Sequence, residues 1–426
     1  MRALAVAAVL LAGCSDRSPT PPPLAAPEDV AKPGPAPVAA ALAPTSKHVE
    51  GAAVRPHRED PVVECPATPP ETGDDDAKAA ALLEAANKQI VLAAYGAAWT
   101  CADRAADLVP TSVEAHHLRG SALAALGRDQ EAQLAYSLAL ALDPDDPETL
   151  RAVSDFYING NSKAERGRDA LKLGLEFAQR GSRRVIARRR KTPQLTADLA
   201  VLEAQALNDL GRSDEALARI EVALRVAPGR GDALHEKGVA LFDLSKFAEA
   251  RVVLLRSLAI QPEDAYSHQI MGLTLEQLGD KPGADKELAR ALELAPTELT
   301  APVTISDAEF QKEIEGVITK LPADRRAHVH SIRIEVTDLP DPVDLAAVKP
   351  PFPPTILGLY RGPVGKGPHV VQRGGEKPSI VLYRRNLARA VKTRAELSEQ
   401  IRDTLLHEIG HLEGLDEDDL RRRGME

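Results

Sequence analysis

Three residues near the C-terminus have the types and the spacing of a metal-dependent hydrolytic site. His407 and His411 are four residues apart in the sequence His-Glu-Ile-Gly-His. On an α-helix, positions i and i+4 lie on one face, so both imidazoles can bind a single zinc ion. Glu408 lies beside the first histidine, where its carboxylate can take a proton from the attacking water. The motif therefore predicts a zinc metallopeptidase that hydrolyses peptide bonds with zinc-activated water and uses Glu408 as general base.

The third zinc ligand has to be sought outside this motif. A catalytic zinc ion usually has three protein ligands and one open position. Only fifteen residues follow His411, too few for a second long helix, so the ligand is local or comes from upstream. Gly414 can end the helix and reverse the chain, which places Glu417 in the pattern HExxHxxGxxE. Glu417 is the candidate ligand and Asp416 the alternative; the competing interpretation makes Glu417 a solvated charge of the tail.

Further stretches upstream extend the pattern over about 120 residues. They are Phe310–Pro322, Ile332–Pro340, Leu357–Gly362, Ser379–Leu387 and Ile401–Leu420. Together with the motif, they resemble the small bacterial zincin-like metallopeptidases, which are minimal metzincin-like domains. The resemblance implies a zinc cofactor and a compact α+β domain over residues 301–426, with a mixed sheet and a zinc-bearing helix near its end. The family often has Asp where this chain has Glu417.

The strands of this domain are predicted from local patterns. Ile332, Ile334 and Val336 alternate with charged residues, which is typical of a half-buried strand. By the resemblance, the segment Ser379–Leu387 is the candidate edge strand that pairs with an extended substrate. Tyr360 could polarise a carbonyl, but packing is the favoured interpretation.

The middle of the chain is a repeat array. Clear 34-residue units occupy 113–146, 197–230, 231–264 and 265–298, with Gly120, Gly238 and Gly272 at equivalent positions. Residues 79–112 resemble a degenerate first unit, and residues 147–196 hold one unit plus sixteen extra residues. This pattern predicts an all-α tetratricopeptide solenoid over residues 77–300.

A solenoid of this kind has a concave inner surface that binds proteins. Its inner-face positions include His117, His235, Phe242 and Gln269, which form no Lys/Asn clamp for a terminal carboxylate. A protein or peptide partner is therefore expected, without a specified identity. The histidines of the repeats are expected to pack or to face solvent and not to bind metal.

The first fourteen residues have the pattern of a lipoprotein signal peptide. The apolar stretch from Ala3 to Ala12 is too short to span a membrane. Leu11-Ala12-Gly13-Cys14 resembles a bacterial lipobox, which implies cleavage before Cys14 and lipidation of Cys14. A plain secretory signal is the alternative. We expect a lipid-anchored protein of the bacterial cell envelope, and Ser15 after the cysteine favours the outer membrane.

Residues 15–76 contain 14 of the 33 prolines and are predicted to form a disordered tether. Cys65 and Cys101 are the only thiols left after lipidation, and in an oxidising envelope they could pair and tie the tether to the first repeat. The net charge of −10 disfavours nucleic acid as a partner. The basic run within residues 183–191 is accordingly interpreted as a solvated helix face.

Two functions from different classes fit these patterns. The first is a membrane-tethered zinc metallopeptidase whose solenoid recruits a protein partner or substrate. The second is a non-catalytic envelope scaffold that acts through the repeats, with zinc structural or absent. The combination of ligands and general base favours the peptidase.

Overall fold

The computed structural model describes the larger part of the chain, in several segments. These are residues 63–68, 70, 73–160, 163–187, 192–362, 379–413, 415 and 417–422. They form two compact units, one up to Leu202 and one from Glu203 onward. The predicted signal peptide with Cys14, and most of the predicted tether, lie outside the described residues. Within the described segments, no helix is both long and apolar enough to cross a membrane.

The first unit consists of helices that pack in consecutive pairs. Its helices are α1 (Asp75–Val91), α2 (Tyr95–Leu108), α3 (Val113–Ala125), α4 (Asp129–Leu142), α5 (Pro147–Asn159) and α6 (Lys163–Ala187). The side chains of Asp74, Ser112 and Asp146 begin α1, α3 and α5 by accepting a hydrogen bond from a backbone N–H of the first turn. Helix α6 is interrupted at Gly167, whose φ of +49° is accessible to glycine.

A disulfide joins Cys65 to Cys101 on α2. The hydroxyl of Thr100 also donates a hydrogen bond of 2.7 Å to the carbonyl oxygen of Val63. The segment that precedes the first helix is therefore attached to the first helical pair by a covalent bond and by packing. The sequence left open whether these two cysteines pair, and in the structure they do.

Six helices continue the repeat array, and the first of them runs across the boundary between Leu202 and Glu203. They are α7 (Pro193–Asp209), α8 (Ser213–Val226), α9 (Gly231–Asp243), α10 (Phe247–Ile260), α11 (Ala265–Gln277) and α12 (Lys281–Leu294). A Cβ atom added at Gly272 would lie 2.6 Å from Cγ of Leu288, so glycine allows α11 and α12 to approach closely. The predicted all-α solenoid is confirmed.

The C-terminal part of the second unit has an α+β fold, also as predicted. Its elements are α13 (Asp307–Lys320), α14 (Ala323–Ser331), β1 (Arg333–Thr337), α15 (Pro342–Leu345), β2 (Gly358–Arg361), β3 (Ser379–Tyr383), α16 (Arg384–Arg389), α17 (Arg394–Leu412) and α18 (Glu417–Arg422). The described strands form a mixed sheet in the order β1-β3-β2.

The sheet order corrects one prediction. Strand β3 pairs in parallel with β1 from Arg333↔Ser379 to Thr337↔Tyr383, and antiparallel with β2. Because β3 has a neighbour on both sides, the segment Ser379–Leu387 cannot be the edge strand that binds substrate. Its five strand residues are all buried, which is typical of a central strand and explains their continuous apolar character.

Two apolar cores support the α+β domain. One lies within it and joins α13 and α17 to the sheet through side chains such as Phe310, Ile380 and Leu405. The other is shared with the repeats, since Phe242 and Met271 of the solenoid cluster with Tyr383 of β3. The last repeats and the α+β domain are therefore parts of one packed structure.

The shared core changes the expectation for the inner face of the solenoid. Phe242 is only 3% exposed and packs in the shared core, so it does not present itself to a partner. His117 and His235 are also buried, and His235 Nδ1 lies 2.9 Å from the Ser267 hydroxyl. The histidines thus pack, as expected. Phe242 therefore lies in the interior and not on an open inner surface, because it belongs to the core that the last repeats share with the α+β domain.

Candidate metal centre

Helix α17 carries the predicted site, and its sequence explains its orientation. Leu397, Ile401, Leu405 and Ile409 recur every four residues and are all fully buried in the core of the α+β domain. This stripe fixes the rotation of the helix against the sheet. The Thr393 hydroxyl begins the helix by accepting a hydrogen bond from a backbone N–H in its first turn. Because the stripe fixes this rotation, His407, Glu408 and His411 lie on positions of the helix next to the stripe, where they are also buried.

The two histidines of the motif converge on one point. Their Nε2 atoms are 3.1 Å apart, and His407 and His411 are only 2% and 5% exposed. Two nitrogens bound to one tetrahedral zinc ion at about 2.0–2.1 Å are separated by about 3.3 Å. The pair therefore has nearly the separation that two ligands of one zinc ion require.

A backbone contact selects the nitrogen that can bind metal. Nδ1 of His411 lies 3.1 Å from the carbonyl oxygen of Leu415. A carbonyl only accepts hydrogen bonds, so this contact favours the tautomer with the proton on Nδ1. Nε2 is then the metal-binding nitrogen, in the arrangement that metal-ligating histidines commonly have. Both histidines fit a zinc ion by their type and separation, and His411 also by its tautomer.

Glu408 lies between the helix and strand β2. It is 3% exposed, and a Cβ added at Gly358 of β2 would be 3.5 Å from its Cγ atom. The same added atom would be 2.7 Å from Cγ2 of Thr404, one turn earlier on α17. Gly358 therefore allows the strand to approach the helix closely enough to contact the predicted general base.

The hydroxyl group of Tyr383 is a further buried polar group near the site. The Tyr383 hydroxyl at the end of β3 has no hydrogen-bond partner among the described residues. Burial raises the pKa of Tyr383, and the negative charges of Asp344 and Glu408 act in the same direction. Tyr383 therefore stays protonated. Asp344 is itself fully buried and forms an ion pair with Arg361 of β2.

The described residues do not identify the third zinc ligand. Gly414 and Asp416 lie outside the described residues, and of Glu417 only the backbone, at the start of α18, is described. Among the described side chains, no group of three or more His, Cys, Asp or Glu residues is arranged to hold a metal ion. The described part of the site thus consists of two imidazoles and the adjacent Glu408.

Three groups at the site were not identified from the sequence. Gly358 had a usable signal, because an isolated glycine within a strand pattern indicates a close approach. Leu415 contributes only its backbone carbonyl. Every residue type has this group, so the role of Leu415 cannot be recognised from the sequence. Tyr383 ends the apolar run of β3, and only the tertiary structure brings it within the electrostatic influence of Asp344 and Glu408. Tyr360 is buried, in agreement with the predicted packing role.

Comparison with known families agrees with both parts of the fold. Residues 329–425 match the family model of the zincin-like metallopeptidases. Residues 113–146 match the model of the tetratricopeptide repeat. The chain therefore combines tetratricopeptide repeats with a C-terminal zincin-like metallopeptidase domain. A search of curated proteins gave no significant match.

Solved tetratricopeptide proteins resemble the repeat region at low identity. The PilF protein of Pseudomonas aeruginosa is 15% identical over 56% of this chain and 99% of its own, with a TM-score of 0.44. PilW, a widely conserved type IV pilus biogenesis factor, is 15% identical over 51% and 94%, also at 0.44. YrrB, a tetratricopeptide protein with an unusual peptide-binding site, is 16% identical over 46% and 93%, at 0.34.

Proposed function

We propose that this protein is a zinc-dependent peptidase whose tetratricopeptide repeats bind a protein partner or substrate. The observation that carries the proposal is the 3.1 Å separation of the His407 and His411 Nε2 atoms, with buried Glu408 next to them. Glu417, or alternatively Asp416, would complete the ligand set. The match of this region to the zincin-like metallopeptidases supports the same chemistry.

The residues of the site have distinct tasks in peptide hydrolysis. Zinc, when bound, supplies a positive charge that polarises the scissile carbonyl and lowers the pKa of water. Glu408 accepts a proton from the attacking water and passes it to the amide nitrogen that leaves. Its burial excludes bulk water from this exchange, and the close approach of β2 at Gly358 limits its movement. The Leu415 carbonyl keeps the His411 imidazole in the ligating tautomer.

Strand β2 is the element that supports substrate binding best. It pairs with β3 on one side, and among the described strands it has no partner on the other side. Its residue Gly358 lies next to Glu408. An extended peptide that pairs with β2 would therefore run past the general base. This role replaces the one predicted for Ser379–Leu387.

The proposed compartment is the bacterial cell envelope, with a lipid anchor at Cys14. The Cys65–Cys101 disulfide supports an oxidising compartment. A Cys14→Ser variant is expected to leave the membrane fraction and to lose incorporation of labelled palmitate. If the variant stays in the membrane fraction to the same extent, the lipid anchor at Cys14 is refuted.

Metal content and hydrolysis together test the catalytic proposal. The full-length protein is expected to purify with zinc and to cleave fluorescein-labelled casein. Glu408→Gln should keep the zinc and lose activity by about a hundredfold or more, because a general base is removed. Glu399→Gln, an exposed position on the same helix, is the matched control and should keep both.

The same measurements distinguish the scaffold alternative. His407→Ala and His411→Ala should each lose zinc, which reports ligation independently of catalysis. If zinc is absent from the wild-type protein, or if Glu408→Gln is as active as wild type, the peptidase proposal fails. A protein with zinc but without Glu408-dependent hydrolysis would be a scaffold with a structural metal.

A further inference from the structure

Helix α16 connects the strands of the zincin-like domain to one another. It directly follows β3, so a shift of the helix moves the end of that strand. The backbone N–H of Arg385 donates a hydrogen bond of 3.1 Å to the carbonyl oxygen of Asp338, the residue after β1. The carboxylate of Asp338 also accepts hydrogen bonds from the guanidinium groups of Arg384 and Arg385. The position of α16 is therefore tied to the ends of both β1 and β3.

A buried side-chain amide extends this connection to β2. Asn386 of α16 is only 6% exposed. Its side-chain nitrogen donates hydrogen bonds of 2.9 Å to the carbonyl oxygen of Pro354 and 2.7 Å to that of Ile356. Ile356 is two residues before Gly358, the first residue of β2, where the strand approaches Glu408. Helix α16 thus holds the segment that leads into β2.

The last repeat binds the same helix through one carboxylate. Oε1 of Glu276 on α11 accepts hydrogen bonds of 2.5 Å from Nη1 of Arg385 and from Nη2 of Arg389. The Glu276 side chain is only 2% exposed. Breaking a buried ion pair on one side leaves an uncompensated charge in the interior, which resists any movement of the helix away from the repeat. Arg385 and Arg389 lie on either side of Asn386 in the sequence, so the repeat fixes the part of α16 that holds β2.

Apolar packing also connects the sheet to the repeats. Leu359 of β2 and Val381 of β3 are paired in the sheet, and both belong to the core that is shared with the repeats. Their neighbours Tyr360 and Ile380 are paired as well, and they belong to the core that contains α17. Successive residues of a strand point to opposite faces. One face of the sheet therefore packs with α17, and the other packs in the core shared with the repeats.

We propose that Glu276 is a positioning residue for the candidate metal centre, and that the last repeat is a structural part of the catalytic site. Glu276 fixes α16 through the two arginines, and Asn386 of α16 fixes the entry to β2. Strand β2 in turn limits the movement of Glu408. The repeats then support hydrolysis directly, in addition to binding a partner. The effect on hydrolysis rests on the proposed function, whereas the dependence of β2 on Glu276 does not.

Three variants of the full-length protein separate this role from a general loss of stability. Glu276→Ala removes the carboxylate, and Glu276→Gln is a milder change that keeps the size and one acceptor oxygen. Glu203→Ala is the matched control. Glu203 on α7 is also a buried carboxylate, 4% exposed, and its ion pair of 2.8 Å with Arg219 on α8 lies within the repeats. Its removal therefore disrupts a similar buried pair but not the attachment of α16.

Hydrogen–deuterium exchange and kinetics give two independent readouts at a temperature at which the variants are folded. In Glu276→Ala, the amides of β2 and β3 should exchange about tenfold faster or more, because the sheet loses an attachment that opposes local opening. The kcat/KM for labelled casein should fall about tenfold or more, because Glu408 is less precisely placed. The zinc content should match wild type, since His407 and His411 both lie on α17. Glu203→Ala should stay within about twofold of wild type in both readouts.

The proposal is overturned if β2 and β3 of Glu276→Ala exchange as in wild type, or if Glu203→Ala changes them equally. Faster exchange with undiminished hydrolysis would also overturn it, because β2 would then not position Glu408. If Glu276→Ala does not fold, the same criteria apply to Glu276→Gln, for which we expect changes of about threefold or more. A wild-type protein without hydrolysis would refute the proposed peptidase function instead, and the exchange rates would still test the attachment of β2 to the repeat.

Discussion

Replacing Gly358 with alanine should disturb the candidate metal centre without changing any of its chemical groups. The added Cβ atom would lie 2.7 Å from Cγ2 of Thr404 and 3.2 Å from the carbonyl oxygen of Val381. Contacts below about 3.0 Å are not tolerated, and neither neighbour can swing away, because one is a β-branched buried side chain and the other is backbone. Overpacking of this kind costs about 1–3 kcal/mol of the free energy of unfolding.

The atom responsible for the clash can be removed separately. Thr404→Ser deletes the Cγ2 methyl and keeps the hydroxyl, at a cost of about 1 kcal/mol for the lost buried methyl. The double variant Gly358→Ala/Thr404→Ser should therefore be more stable than the sum of the single effects by about 1 kcal/mol. The 3.2 Å contact with Val381 remains and keeps the rescue incomplete.

Urea denaturation of the four proteins in this cycle measures the coupling, and hydrolysis of labelled casein reports on Glu408. A shift of strand against helix should reduce activity about tenfold or more, with partial recovery in the double variant. Gly316→Ala is the control, since a Cβ there meets no atom within 4 Å and alanine favours the helix. A Gly358→Ala protein as stable as wild type, or strictly additive costs, would refute the proposed contact.

Three further predictions concern stability. Asp344→Asn should cost about 3 kcal/mol in urea denaturation, because it leaves the largely buried Arg361 with a weaker partner; a cost below about 0.5 kcal/mol would contradict this. Burial, together with the nearby Asp209 and Glu236, raises the pKa of Asp243 to about 7. Since its unfolded value is about 4, stability should fall as pH rises from about 4 to about 7, by about 4 kcal/mol for a shift of about three pKa units. Asp243→Asn should remove this fall in stability. A pH profile of stability that is unchanged in this variant would contradict the role of Asp243. Reducing the Cys65–Cys101 disulfide, which closes a separation of 36 residues, should lower the free energy of unfolding of the N-terminal helices by up to about 4 kcal/mol, and with it their melting temperature. Equal melting temperatures with and without reductant would disprove that contribution.

Local sequence patterns were sufficient for the architecture. The 34-residue period and the small residues at helix crossings predicted the solenoid, because each helical pair contacts mainly its neighbours. Alternation at Ile332, Ile334 and Val336 predicted strand β1. The order of the strands was not accessible in this way, since pairing depends on connections that the pattern of one strand does not contain. Ser379–Leu387 was accordingly misplaced at the edge.

In the repeats, too, the local pattern predicts the helices but not their contacts with distant segments. Phe242 occupies an inner-face position in its repeat, and the repeat pattern alone indicates a surface for a partner. In the structure it belongs to a core cluster that includes Tyr383 and other residues more than a hundred positions away. The Glu276 ion pair with Arg385 and Arg389 also joins residues over a hundred positions apart. A repeat pattern in the local sequence contains no information on contacts between residues so far apart.

By itself, the sequence determined the chemistry of the candidate site. The spacing of His407, Glu408 and His411 places two candidate ligands and a candidate base on neighbouring positions of one helix, because the helix period is a property of the backbone. Only the tertiary structure decided what surrounds them: the Leu415 carbonyl that favours one tautomer of His411, and the glycine that lets β2 approach Glu408. The approach of β2 depends on segments distant in sequence, which meet only when the apolar faces of helix and sheet are buried together.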